Sequence, residues 1–362
     1  ITILLVDRGV STGEGTFVLS MLKGTMLAGT LAGGALTARF SSRTLVLAAL
    51  LMSAAGLGFL PFQTSIWLIL LFGMLAQFSE ALMNVVQRLL LMDQVEHAHQ
   101  KEALGWMRMV NNFAQVFSFS VAALGARFGI TPLCLFDSAT SLGAFFLGRK
   151  ILPRREGPAQ SGRGLGGEPS GGVASKWTFF RMALVLMGWS FFYELFLEGG
   201  AGRLEILHPG QGLHRFSTMM ILNTVLCAAF AVQATKLFTK PWLAILGGML
   251  LTVLGILLAG WGMASQLWVF GGMLLVTLGE LMVGSTAQYT LMRLTPGGSK
   301  GSFYYSLGIS LMQGGRIIGA AVAFPLLIHA TRLGPFTALM IGVFAVQLAV
   351  LWSLRGEIGR LA

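Results

Sequence analysis

The chain has 362 residues, of which 55% are hydrophobic and only 11% are charged, and its mean hydropathy is +0.75. This composition is far more apolar than that of soluble proteins and excludes a secreted enzyme and a soluble nucleic-acid-binding protein. The formal net charge of +11 fits a polytopic membrane protein with basic cytoplasmic loops. We therefore expect the protein to lie in a lipid bilayer and to bind no nucleic acid.

Eleven apolar stretches are long enough to cross a membrane, for which a helix needs about 20 residues. The predicted spans are 15–38, 45–61, 66–91, 105–126, 131–148, 177–200, 216–235, 242–263, 267–292, 302–328 and 336–354. The apolar fragment from Ile1 to Val6 is too short to span. We expect it to be the tail of a first helix that is largely missing from this chain.

Lysine and arginine collect in one set of alternate loops. Fifteen of the 25 basic residues lie in this set and at the C-terminus, and only five lie in the opposite set. Because basic loops stay on the cytoplasmic side, the C-terminus is predicted to be cytoplasmic, and a restored first helix gives twelve spans. We expect a multi-pass protein of the cell inner (plasma) membrane.

A hydrophilic, glycine-rich stretch divides the chain into two parts with six spans each. It predicts an N-terminal helix bundle at 1–148, a cytoplasmic linker at 149–176 and a C-terminal helix bundle at 177–362. The parts also repeat each other, since Glu80 and Glu280 each lie near the middle of a span. Parallel repeats in a membrane protein are typical of two bundles that move around a site at the bilayer midplane.

The residues between the spans 15–38 and 45–61 carry a family resemblance. The stretch Gly-Gly-Ala-Leu-Thr-Ala-Arg-Phe-Ser-Ser-Arg that ends at Arg43 resembles the signature between the second and third helices of the major facilitator superfamily. Gly34, Arg39 and Arg43 match that signature and are candidate gating residues. Ala38 stands where the family usually has Asp, and Ser41 stands where it usually has Gly.

Further segments resemble the bacterial multidrug-efflux branch of this superfamily, namely those around Asp137, Asn223 and Glu280. The resemblance covers almost the whole chain. It implies an all-α polytopic membrane protein with two six-helix bundles related by a pseudo-twofold parallel repeat. It also implies alternating access, a monomer, and a central cavity lined by the spans of Glu80 and Glu280.

Three carboxylates inside spans are candidates for proton coupling: Glu80, Glu280 and Glu194. An ionisable group at the bilayer centre is costly, and a carboxylate there can load and release a proton as its surroundings change. The alternative for Glu80 and Glu280 is a paired or hydrogen-bonded carboxyl that only holds helices together. For Glu194 the alternative is an exposed carboxylate near the outer mouth.

Polar and aromatic side chains on the same spans are candidates for the substrate cavity. They are Asn84, Asn112, Gln115, Trp189, Tyr193 and Arg316. The amides are equally suited to interhelical hydrogen bonds, and the aromatic rings could equally face lipid.

Two arginines within spans are expected to have different roles. Arg316 is expected to pair with Glu280 on the preceding span or to bind an anion. Arg108, near a cytoplasmic helix end, is expected to be an anchor or a gate-side salt bridge.

These features predict a secondary active transporter that exports small amphipathic or drug-like molecules in exchange for protons. The alternatives are a nutrient or metabolite uniporter or importer, and a transport-inactive sensor or scaffold of the same fold. Cys134 and Cys227 lie in apolar runs without metal-ligand spacing. We therefore expect no metal. No Ser/His or paired-Asp arrangement lies at matching depths in the spans, so we also expect no cofactor and no enzymatic activity.

Overall fold

The structure is a computed structural model, and it describes residues 12–96, 99–125, 130–152, 176–208, 212–261, 265–295, 301–323 and 334–359. Within these ranges the chain is helical throughout, apart from short turns and one 3-10 segment at Leu60–Phe62. The apolar fragment at 1–6 and most of the predicted linker, from 153 to 175, lie outside the described residues.

Twelve α-helices follow one another in the described part of the chain. They are α1 (Thr12–Leu36), α2 (Ser42–Phe59), α3 (Ile66–Gln94), α4 (Gln100–Gly125), α5 (Ile130–Ile151), α6 (Lys176–Leu207), α7 (Gly212–Leu237), α8 (Pro241–Trp261), α9 (Gln266–Leu294), α10 (Gly301–Ala323), α11 (Gly334–Ser353) and the short α12 (Arg355–Gly359).

Each of the eleven predicted spans overlaps one of the long helices α1 to α11, so the all-helical prediction is confirmed. Seven of these helices, in the described residues, are long and apolar enough to cross a membrane. They are α2, α3, α6, α7, α8, α9 and α11. The other four are α1, α4, α5 and α10. In α4, Lys101, Glu102 and Arg108 all lie within the first three turns.

Glycines allow neighbouring helices to come into backbone contact. A Cβ at Gly248 of α8 would lie 2.7 Å from the carbonyl oxygen of Gly279 on α9, and a Cβ at Gly279 would lie 2.5 Å from that of Gly248. On α1, a Cβ at Gly29 would lie 2.5 Å from the carbonyl oxygen of Phe78 on α3. Small residues at such crossings are the usual means of packing membrane helices.

Contacts between Cα atoms divide the chain into two compact units. Unit 1 comprises Ile1–Gln94, Ser120–Leu165 and Gly297–Ser310, and unit 2 comprises Val95–Phe119, Gly166–Pro296 and Leu311–Ala362. The helices α4 and α10 therefore each contribute residues to both units. The sequence-based boundary at 149–176 stays a prediction.

The turn between α1 and α2 explains one departure from the family signature. Ser41, which replaces the usual glycine, is the N-cap of α2, and its Oγ accepts a hydrogen bond from the backbone N–H of Thr44 at 3.2 Å. Serine is among the best N-cap residues, because its side chain satisfies one of the free N–H groups of the first turn. The serine at this position therefore has a structural use of its own.

Candidate functional site

A carboxylate of unit 2 lies at the middle of α9. Glu280 is 14 residues from either end of α9, which runs from Gln266 to Leu294. Its side chain is only 12% exposed. A charge at this depth in a membrane-spanning helix needs partners from neighbouring helices.

Both oxygens of Glu280 have such partners. Oε1 accepts a hydrogen bond from Nη2 of Arg108 on α4 at 2.5 Å. Oε2 accepts hydrogen bonds from the hydroxyl of Tyr193 on α6 at 3.1 Å and from Nδ2 of Asn223 on α7 at 3.2 Å. The thiol of Cys227 donates to Oδ1 of Asn223 at 3.3 Å, which turns the amide nitrogen towards the carboxylate. Four helices thus converge on Glu280.

The guanidinium of Arg108 fits against a glycine. A Cβ at Gly284, one turn after Glu280, would lie 1.2 Å from Nη1 of Arg108. The side chain of Arg108 is 16% exposed, and its backbone carbonyl accepts a hydrogen bond from Nδ2 of Asn112 at 2.9 Å. The absence of a side chain at position 284 therefore creates the space in which the ion pair forms.

A second ion pair lies beside the first. Nε of Arg316 on α10 is 4.0 Å from Oε2 of Glu194 on α6. The side chain of Glu194 is 7% exposed, whereas that of Arg316 is 39% exposed. The guanidinium carbon of Arg316 also lies 5.9 Å from the centre of the Tyr193 ring. Tyr193 thus contacts both ion pairs, with its hydroxyl on Glu280 and its ring on Arg316.

An indole supports the Tyr193 ring from α6 itself. Trp189 stacks on Tyr193 with ring centres 5.7 Å apart and an interplanar angle of 28°. Its Nε1 donates to Oγ1 of Thr252 on α8 at 3.4 Å. Both aromatic side chains are buried, so the interpretation of these rings as lipid-facing is wrong.

Two further expectations for this region need correction. Arg316 does not pair with Glu280, because Arg108 occupies that carboxylate and the close contact between α10 and α6 brings Arg316 to Glu194 instead. Glu194 is not an exposed carboxylate near an outer mouth. It is buried, since α6 continues to Leu207 and leaves Glu194 near its middle.

The remaining cavity candidates lie elsewhere. Glu80 and Asn84 belong to unit 1, where Glu80 is exposed and Asn84 is half-buried on α3. Asn112 is buried and bonded to its own helix, and Gln115 on α4 is exposed. Their assignment to a substrate cavity stays a prediction.

The candidate gating residues are all in unit 1. A Cβ at Gly34 of α1 would lie 2.0 Å from Oγ of Ser306, and Oγ of Ser302 donates to the carbonyl of Gly34 at 3.2 Å, so α1 and the start of α10 touch here. Nη2 of Arg43 donates to the carbonyl oxygen of Arg149 at 2.7 Å, whereas Arg39 is exposed. A function in gating stays a prediction for these residues.

Sequence reasoning missed three members of the site. From the sequence, Arg108 is expected to be a helix-end anchor or a gate-side salt bridge, with no partner named, and neither Asn223 nor Cys227 is expected near a carboxylate. The sequence does contain a signal for the role of Arg108, namely that charged residues are rare inside the predicted spans. Five lysines and arginines lie within predicted spans, and each carboxylate of a span needs a partner among such residues.

A separate apolar cavity of about 410 Å³ lies between α6, α10 and α11. It is lined by aliphatic side chains, Phe191 and Gln347, and no charged residue contributes to it. In the described part of the chain, no cluster of His, Cys, Asp and Glu could hold a metal ion.

Comparison with known proteins identifies the fold. The human organic anion transporter MFSD10 (TETRAN) has a TM-score of 0.68 at 19% identity, with 96% of this chain and 87% of that chain covered. The proton:xylose symporter XylE bound to 6-bromo-6-deoxy-D-glucose has a TM-score of 0.75 at 13% identity, with 98% and 90% covered. At these identities the likeness establishes the fold alone. No curated protein sequence matches the chain significantly.

A sequence profile of the Major Facilitator Superfamily matches residues 1–320. The predicted all-α polytopic fold and the family resemblance are therefore confirmed, whereas the multidrug-efflux branch stays a prediction. The chain belongs to the Major Facilitator Superfamily, a family of multi-pass membrane transporters.

Proposed function

We propose that the protein is a secondary active transporter that works by alternating access and exports small amphipathic molecules in exchange for protons. We place the coupled proton on Glu280. The observation that carries this proposal is the convergence of Arg108, Tyr193 and Asn223 on that carboxylate. The proposal includes the cell inner membrane, a cytoplasmic C-terminus, a monomer and two six-helix bundles.

The position of the two partners along the chain suggests how protonation drives movement. Arg108 is on α4, before the predicted linker, and Glu280 is on α9, after it. An ion pair of low exposure holds the two helices together as long as Glu280 is charged. When Glu280 takes up a proton, Arg108 loses its counter-charge, and the contact between α4 and α9 weakens.

The other partners of Glu280 make the protonated form accessible. Tyr193 and Asn223 are neutral donors, so they stabilise the carboxylate without adding charge, and a rotation of either side chain frees Oε2 to carry a proton. We favour Glu280 over Glu80, because three donors on three helices respond to its charge. Uptake of a proton by Glu280 therefore directly weakens contacts between helices of unit 2.

The test uses the full chain reconstituted in vesicles with an imposed proton gradient. Internal pH is followed while lipophilic cations, organic anions, sugars and peptides are added in turn. We expect one class of compound to cause proton movement in the wild type. In Glu280→Gln we expect this movement to be lost, while the exchange of labelled substrate across the membrane continues.

Three results would contradict the proposal in different ways. Undiminished proton movement in Glu280→Gln would remove the coupling from this residue, and its loss in Glu80→Gln instead would transfer the coupling to unit 1. Substrate flux without proton movement in the wild type would indicate a uniporter. Binding of a compound without any flux would indicate a sensor or scaffold.

A further inference from the structure

The site of unit 2 contains a partly exposed positive charge, Arg316, with unused hydrogen-bonding capacity. Nε of Arg316 lies 4.0 Å from Glu194, which is beyond hydrogen-bonding distance, and its side chain is 39% exposed. Among the described residues, the two terminal nitrogens of Arg316 make no hydrogen bond or ion pair. The forked end of the guanidinium is therefore available to a ligand.

The negative charges of the site are less available than this positive one. Both oxygens of Glu280 are occupied by donors from three helices. The side chain of Glu194 is 7% exposed. A molecule that enters the site therefore meets a cation with unused donors, whereas the carboxylates are buried or occupied.

The packing of α10 on α6 fixes the position of this cation. A Cβ at Gly315 would lie 2.0 Å from the carbonyl oxygen of Met187, and a Cβ at Gly319 would lie 2.5 Å from that of Phe191. These contacts flank Arg316 on both sides along the helix. The ring of Tyr193, whose centre is 5.9 Å from the guanidinium carbon, supports it further. The guanidinium is thus held in place before any ligand arrives.

A guanidinium inside a predicted membrane span, here with a side chain that is 39% exposed, is costly unless it faces water or a polar ligand. Its planar fork matches the two oxygens of a carboxylate, which it binds through parallel hydrogen bonds. We infer that the site selects small organic anions and binds their carboxylate through the terminal nitrogens of Arg316. This inference rests on the proposed function and adds the charge of the substrate to it.

The experiment compares three compounds that share one apolar body and differ in one group: 4-phenylbutyrate, 4-phenylbutanol and 4-phenylbutylamine. Their binding to the detergent-solubilised full chain is measured by equilibrium dialysis at neutral pH, without any gradient. We expect the carboxylate to bind at least about tenfold more tightly than the alcohol, since hydrogen bonds to charged groups are worth that much. The amine should bind most weakly.

Variants then identify the residue responsible. Arg316→Gln should remove the preference for the carboxylate, and Arg316→Lys should retain part of it, because lysine keeps the charge but lacks the fork. Arg181→Gln is the matched control, since Arg181 pairs with Glu357 near the start of α6. It should leave the preference unchanged.

The wild-type ranking does not depend on the folding of any variant. Preference for the amine, equal binding of all three compounds, or binding of none would overturn the inference, as would an unchanged preference in Arg316→Gln. None of these results bears on proton movement, which Glu280→Gln tests in vesicles. Failure of this inference is therefore distinguishable from failure of the proposed function.

Discussion

Glu80 and Glu280 occupy equivalent positions in two helices of equal length but have different surroundings. Each lies 14 residues from both ends of its 29-residue helix. Glu80 is exposed in unit 1, whereas Glu280 in unit 2 is 12% exposed and accepts three hydrogen bonds. Equal depth along a helix therefore does not give equal environments.

The residues that precede the two carboxylates contribute to this difference. Gly279 lies in backbone contact with Gly248 of α8, so α9 is held closely against its neighbour. Ser79, at the equivalent position of α3, donates its hydroxyl to the carbonyl of Ala76 on the same helix at 2.7 Å. The internal repeat thus preserves the carboxylate but changes the packing beside it. We expect the two carboxylates to differ in function for this reason.

The largest expected effect follows from removal of the cation. Arg108→Gln should lower the free energy of unfolding by about 3 kcal/mol, because Glu280 then lacks its ion-pair partner in a low-dielectric setting. Thermal unfolding in detergent measures this loss.

The double variant Arg108→Gln/Glu280→Gln completes the cycle. It should recover most of the stability lost in Arg108→Gln, because two neutral amides can hydrogen-bond to each other. Equal stability of Arg108→Gln and the double variant would show that the loss in Arg108→Gln does not come from an unpaired charge on Glu280. Glu80→Gln should change the free energy of unfolding less than Arg108→Gln does. A larger change would mean that the carboxylate of unit 1 contributes more to stability than the ion pair of unit 2.

A smaller effect is expected from the glycine that accommodates Arg108. In Gly284→Ala the new methyl group would overlap the guanidinium of Arg108, because a Cβ at position 284 would lie 1.2 Å from Nη1. The guanidinium must move away from Glu280, so proton-coupled transport in vesicles should fall by about tenfold, as for the loss of one charged hydrogen bond.

The matched control is Gly271→Ala on the same helix. A Cβ at Gly271 would meet only Cδ2 of Leu258, at an ordinary distance of 3.7 Å. This variant should transport normally. Equal losses of transport in Gly271→Ala and Gly284→Ala would mean that α9 tolerates no alanine. Displacement of Arg108 would then not be the cause of the loss in Gly284→Ala.

Tyr193→Phe should have a moderate effect that separates the two ion pairs. It removes the hydroxyl that donates to Glu280 but keeps the ring that lies near Arg316. We expect a stability loss of about 1.5 kcal/mol, typical of a hydrogen bond to a charged group. Binding of 4-phenylbutyrate should be unchanged, and weaker binding would show that the hydroxyl also positions Arg316.

The smallest effect is expected at the exposed start of α4. Oε1 of Glu102 lies 2.9 Å from Nζ of Lys236, and the hydrogen bond from Lys236 lowers the pKa of the Glu102 carboxyl. The pair therefore stabilises the fold above the pKa of an unfolded glutamate and loses this contribution as pH falls through the lowered value.

Because both of these side chains are well exposed, solvent screens the pair. Glu102→Gln should leave the thermal unfolding midpoint at neutral pH nearly unchanged. A shift comparable to that of Arg108→Gln would show that the start of α4, and not Glu280, holds this helix in unit 2.

The sequence was sufficient for the helices and for the positions of Glu80 and Glu280 at the middle of theirs. Apolar runs fix which segments become helices, and Glu80, Glu280 and Tyr193 follow from their positions in those runs. The pairing of charges could not be predicted from the sequence, because it depends on which helices touch. Gly284 and Gly315 decide that Arg108 reaches Glu280 and that Arg316 lies beside Glu194, and a glycine in a glycine-rich chain gives no sign of its neighbour.

The most direct test of the central claim is to observe the proton on Glu280. Infrared difference spectroscopy of the reconstituted protein records the carbonyl stretch of a protonated carboxyl when the pH is lowered. We predict that this band appears in the wild type and in Glu80→Gln and is absent in Glu280→Gln. A band that persists in Glu280→Gln and disappears in Glu80→Gln would contradict the assignment of the coupled proton to Glu280.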